Sequence, residues 1–293
     1  MNDLQDFLKR MQAAGSDEER AWLTTEYLLQ SLPFDLRQMA WAAAVPHWFD
    51  AEILAALRPE LKEQAETLYI QLQSLPFVEP FQGRGHNVHE LTRRLMLGQL
   101  WQECRDEYVE LSQRAADYFA PHTLSSQSLA ELLQKLKPGS PEEQRAEVLK
   151  TFPDQAETSL KADPRLQIEH IYHLLIADPE RGAAQVRQRG LEWHDEMDYT
   201  YVNLIALSRA VREHAEAGRV AGEGKDWGLY WEAVAATAQY EYSTAIKVYS
   251  ILLNSSATEL KARAFWRLGD VHVQLSELPQ ARGRYEEALG LYR

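Results

Sequence analysis

The chain has 293 residues, 45 % hydrophobic and 26 % charged, an ordinary globular balance whose length points to two or more units. Its 31 basic and 44 acidic residues leave a net charge of −13, which argues against a nucleic-acid binder, because duplex affinity comes largely from Lys and Arg on phosphates. The lone Cys104 excludes an internal disulfide or a cysteine zinc site, and no membrane-length apolar run or signal-peptide pattern occurs, so the expected setting is the cytoplasm.

Helix signals dominate in chain order. Entry helices are expected over 4–11 and 21–32, the second opened by the capping box Ser16-Asp17-Glu18-Glu19. An Ala-rich helix over 36–45 is stopped by Pro46. Asp50 caps a short helix, AEILAAL, and a third helix is expected over 62–75. A hairpin then interrupts the helices. Its arms are 77–81 and 86–89, and Gln82-Gly83-Arg84-Gly85 supplies the turn, where glycine permits positive φ. Pro80 lacks a backbone donor, so its arm is expected at a sheet edge. An amphipathic helix over 90–110 follows, with Cys104 in its middle beside Glu103, Asp106 and Glu107, a negative setting that disfavours a reactive thiolate.

Residues 121–161 read as a helical linker, with loop chemistry around 122–128 and 137–141 and a second capping box at 140–143. Helix pairs recur from 162 onward. Helices over 166–177 and 183–193 are joined by Asp178-Pro179-Glu180-Arg181-Gly182, and a long helix covers 199–216. A flexible break at 218–224 precedes helices over 227–240, 242–253, 262–275 and 279–292. The stretch GEGKD is no P-loop, because position 219 is Arg rather than Gly and position 226 is Asp rather than Ser or Thr.

Phe265-x-x-Leu268-Gly269-x-x-His272, then Ala281-x-x-x-Tyr285 and Ala288, resemble a tetratricopeptide repeat in order and spacing. Gly269 and Ala281 are small where the two helices are expected to cross closely, and Phe265, Leu268, Tyr285 and Ala288 share a face. Ala245-x-x-x-Tyr249 repeats the second half 36 residues earlier. A terminal repeat ordinarily needs a polar cap, so the expectation is a fragment of a longer array, with a partner covering that face as the alternative. By resemblance to the repeat family, Arg263, Trp266, Asp270, Val273 and Gln274 are the protein-binding groove residues.

The string SLPFDLRQMAWAAAVPHWFDAEILAAL, followed by LPFVEPFQGRGHNVHELTRRLML, resembles the winged-helix module of STAND-type signalling ATPases, which precedes a repeat sensor in that family. Val88-His89-Glu90 corresponds to the family's Met-His-Asp switch motif, and the resemblance implies a nucleotide phosphate contact for its His. On position alone His89 reads as a hinge residue capping the following helix. The sequence contains no ATPase motif to supply such a nucleotide.

The fold expected is all-α: a winged helix-turn-helix with a small hairpin wing over 1–120, the linker over 121–161, and a tetratricopeptide-like right-handed α-solenoid over 162–293. No cofactor, metal site or catalytic constellation is expected. His86 and His89 stand three apart without a third ligand, His170 and His173 read as packing or groove residues, and the acidic stretch 194–198 reads as a solvated loop. The first functional expectation is a non-catalytic regulatory segment that binds a protein or peptide. The alternative is a DNA-binding regulator whose contacts come from Arg84, Arg93 and Arg94, the only basic cluster near the wing.

Overall fold

The computed structural model describes residues 2–120, 163–195 and 201–293. The linker expected over 121–161, with its capping box, and most of the acidic stretch lie outside the described residues. Among those described are fourteen α-helices and one two-stranded sheet, so the fold class is all-α. None of these helices is long and apolar enough to cross a membrane. The chain divides into two compact units, Met1–Tyr118 and Phe119–Arg293.

In the first unit α1 (Asn2–Ala13) packs on α2 (Asp17–Ser31). The Ser16 hydroxyl accepts from the Glu19 N–H at 3.1 Å, while the Glu19 carboxylate accepts from the Gly15 N–H at 2.7 Å, one residue earlier than a standard capping box. Pro33 holds Leu32 extended and so ends α2 before α3 (Phe34–Ala43) begins. Met39, Ala40, Ala42 and Ala43 of α3 are buried, the three small alanines letting α4 and α5 approach. The Asp50 carboxylate accepts from the Ile53 N–H at 2.8 Å and starts α4 (Ala51–Leu57). The single helix expected over 62–75 is split. A 3-10 turn (Pro59–Gln64) leads into α5 (Ala65–Leu72), because Pro59 starts a tighter turn directly after Arg58 closes α4.

Strands β1 (Val78–Pro80) and β2 (His86–Val88) pair antiparallel with Val78 opposite Val88 and Pro80 opposite His86. Pro80 lies on the edge strand. The other side of β2 is also paired, since the His86 N–H donates to the Phe49 carbonyl at 2.9 Å and the Phe49 N–H returns the bond at 2.7 Å. Gly85 at the turn has φ 87°, and a Cβ there would stand 2.5 Å from the Phe49 carbonyl oxygen. Both conformation and space demand glycine.

Helix α6 (Glu90–Glu103) follows, and α7 (Arg105–Phe119) after it. Cys104 is not mid-helix as expected. It is exposed and breaks the run with φ −134° and ψ 48°. The Arg114 guanidinium donates to the Leu57 carbonyl at 2.8 Å, and Arg58, itself buried, pairs with Glu107, so α7 is tied to the end of α4.

The second unit begins with α8 (Pro164–Ala177) and α9 (Pro179–Asp195), joined at Asp178 alone. The expected five-residue connection is instead the first turn of α9: Pro179 opens the helix and the Asp178 carboxylate accepts from the Arg181 N–H at 3.1 Å. Then come α10 (Val202–Glu216), α11 (Gly222–Ala238), α12 (Tyr242–Leu252), α13 (Thr258–Gln274) and α14 (Leu278–Leu291). GEGKD forms the opening turns of α11 rather than a loop. Successive helices pack side by side, and α9 also packs on α11 and α11 on α13. Large aromatic side chains fill the interior: Trp227, Tyr230, Trp231 and Tyr249 are buried, with the Trp231 indole donating to the Val186 carbonyl at 3.0 Å.

One turn geometry recurs. Tyr240 and Ser276, 36 residues apart, both adopt left-handed backbone with φ 63° and 62°. Each is followed by a six-residue closing bond, from the Glu241 N–H to the Ala236 carbonyl at 2.9 Å and from the Glu277 N–H to the His272 carbonyl at 2.8 Å. Ala245 and Ala281 sit at the same offset from these turns and both are buried.

Candidate functional site

The five expected groove residues lie on α13 or at its end, and packing decides what each presents. Gly269 sits where α13 meets α14: a Cβ there would stand 2.4 Å from the Tyr285 ring. That approach brings Tyr285 against two of the five. Its hydroxyl donates to the Asp270 carboxylate at 2.8 Å, and its ring lies 5.5 Å from that of Trp266. Trp266 is nonetheless 53 % exposed, an aromatic held on one side and open on the other. Val273 and Gln274 are exposed one turn further on.

Arg263 does not join this patch. Its guanidinium donates to Glu259 at 3.1 Å and lies 6.0 Å from the centre of the Trp227 ring on α11. Glu259 also pairs with Arg187 of α9 at 2.6 Å, and Arg187 lies 5.6 Å from the same ring. Two arginines from separate helices thus cover a buried tryptophan and share one carboxylate. Sequence reasoning missed this group. Only the Glu259–Arg263 spacing of four signals it, because Arg187 and Trp227 meet through the fold. Arg267, also missed, reaches Asp270 at 3.4 Å and His194 on α9. Asp270 therefore carries two local partners. Burial and the hydrogen bond to Asp270 push the Tyr285 hydroxyl up to about 12.

The residues matching the switch motif are divided by burial. Val88 is buried opposite Val78 in the sheet. His89 is exposed, forms the N-cap of α6 without a side-chain cap bond, and gives its backbone N–H to the Phe77 carbonyl at 2.8 Å. Glu90 is exposed in the first turn of α6, where a carboxylate complements the helix dipole.

The expected basic cluster is dispersed. Arg84 stacks on Trp48, its guanidinium carbon 4.5 Å from the ring centre. Arg94 pairs with Glu18. Arg93 is only 7 % exposed and donates to the carbonyls of Val45 at 3.0 Å and Pro46 at 3.2 Å. Its expected place on a nucleic-acid-facing surface is corrected: it is an interior strut satisfying two backbone carbonyls in the turn after α3.

The histidines also find local partners. His86 shares a 2.8 Å hydrogen bond with Tyr69, and His173 lies buried 3.4 Å from the Glu169 carboxylate. His214 is buried against Tyr172, ring centres 3.9 Å apart, with one ring nitrogen 3.0 Å from the Tyr172 carbonyl. Burial holds it well below the usual histidine range. Among the described residues no three metal-ligating side chains come together. Compared with protein-family models, with curated proteins and with solved structures, the chain matches none.

Proposed function

We propose that the chain is a non-catalytic regulatory segment that binds a protein or peptide through tetratricopeptide-like repeats, its first unit serving as a winged-helix adaptor. The observation that carries this reading is Trp266, more than half exposed yet steadied by Tyr285 beside the exposed Val273. A rigid aromatic with one open face suits an anchor in a protein interface. Further support comes from the 36-residue recurrence of left-handed turns and buried alanines, and from the fit of Gly269 against Tyr285. In the first unit, the three helices α3 to α5 followed by a hairpin paired to Phe49 support the winged-helix resemblance.

The test is selection of peptides from a displayed random library on the full chain, followed by titration against Trp266→Ala and Gln274→Ala. The expected result is a selected peptide that loses roughly tenfold or more affinity on Trp266→Ala while the helical circular dichroism is unchanged. Binding that is indifferent to these substitutions rejects the groove assignment.

A further inference from the structure

Helix α14 packs on α13 and leaves the flank beside that contact open. Leu278, Arg282, Tyr285, Leu289 and Tyr292 follow one another at alternating steps of four and three residues, the spacing of a seam along a helix. Leu278 is 64 % exposed, Leu289 54 % and Tyr292 58 %. Along this stripe lies an apolar hollow of about 340 Å³, lined by Val273, Leu278, Ala281, Tyr285 and Leu289. Grouped apolar exposure of this kind marks an interface.

The charges on the stripe indicate the partner. Arg282 and Glu286, 2.7 Å apart, are both largely exposed. Glu286 lines the same hollow beside the stripe, so along this flank Leu278, Arg282, Glu286 and Leu289 run leucine, charge, charge, leucine from either end, with the two charges opposite. In an antiparallel copy rotated about an axis near Arg284, Leu289 lies over Leu278 and Glu286 over Arg282. A two-fold contact requires this self-complementarity, because each residue must satisfy the mirror position of the same surface. An unrelated partner would require no such symmetry.

We propose that the chain self-associates as an antiparallel two-fold dimer through α14, with Tyr285 close to the axis. The contact lies beyond the function proposed above: it shares Val273 with the groove set, while Trp266 does not line the hollow.

Sedimentation equilibrium of the full chain from about 1 to about 200 µM spans the affinities of a contact this small. The expected result is a monomer–dimer equilibrium. Leu289→Asp raises the dissociation constant on the order of tenfold or more with circular dichroism unchanged. Arg282→Glu and Glu286→Arg each weaken the dimer by juxtaposing like charges, and the double reversal restores it because the crossed pairs re-form. A monomer at every concentration overturns the proposal and leaves the face to a different partner. An unaltered dimer in Leu289→Asp overturns the location, and a double reversal no better than the single changes overturns the antiparallel pairing. Should Leu289→Asp fail to fold, the surface charge reversals decide alone.

Discussion

The Tyr285 hydroxyl donates a hydrogen bond to the Asp270 carboxylate at 2.8 Å and so bolts α14 to α13. Tyr285→Phe removes that donor. The expected loss is about 1.5 kcal/mol in urea unfolding, the low end for a hydrogen bond to a charged group because both partners are only half-buried. The same bond has an alkaline signature. Burial and the bond to Asp270 push the folded hydroxyl up to about 12 from its ordinary value of 10, so its stabilisation is complete below pH 10 and fades as pH rises toward 12. The alkaline decline in stability should be shallower in Tyr285→Phe, and tyrosinate absorbance should lose one late-titrating group.

Gly269→Ala places a methyl group against the Tyr285 ring. The ring or the helix must shift, and such overpacking costs about 1 to 3 kcal/mol, offset in part by the better helix propensity of alanine. Thermal unfolding measures the net effect. A variant as stable as the parent would show that the two helices do not cross this closely.

His214 makes stability depend on acidity. Its folded form resists protonation because it is buried, whereas the unfolded histidine protonates near pH 6.5. The unfolded state therefore binds the extra proton, and stability falls as pH drops below about 6.5, by up to about 1.4 kcal/mol per pH unit until the folded group titrates. In His214→Phe the loss between pH 7 and pH 5 should shrink, whatever the variant's stability at neutral pH.

Arg93 and Arg94 are neighbours with opposite fates. Arg93→Ala takes a buried donor from the carbonyls of Val45 and Pro46, and about 1 to 3 kcal/mol should be lost. Arg94→Ala breaks an exposed pair with Glu18 and should cost about 0.5 kcal/mol or less. Equal costs in denaturant titrations would contradict the burial of Arg93.

What the sequence made legible was local chemistry. Ser16 and Asp50 announce helix starts because a cap and its target N–H lie three residues apart, and Gly83 and Gly85 announce the hairpin because both take positive φ. Gly269 was legible as a close approach through its spacing from Ala281 and Tyr285. The remainder depended on tertiary partners. Nothing in LTRRL tells which arginine meets the carbonyls of residues 45 and 46, and nothing near Trp227 announces Arg187 or Arg263 above it. The break at Cys104 is a further example: no proline or glycine marks it, and Arg58 and Arg114 fix α7 to a distant part of the chain.

The two bonds between Phe49 and His86 have a mechanical meaning. One residue beyond Phe49, Asp50 caps α4, and His86 also holds Tyr69 of α5. The hairpin is therefore no free flap. A load applied at its tip is carried straight to the root of α4 and the flank of α5, so whatever grips the tip pulls on a lever, not a tassel.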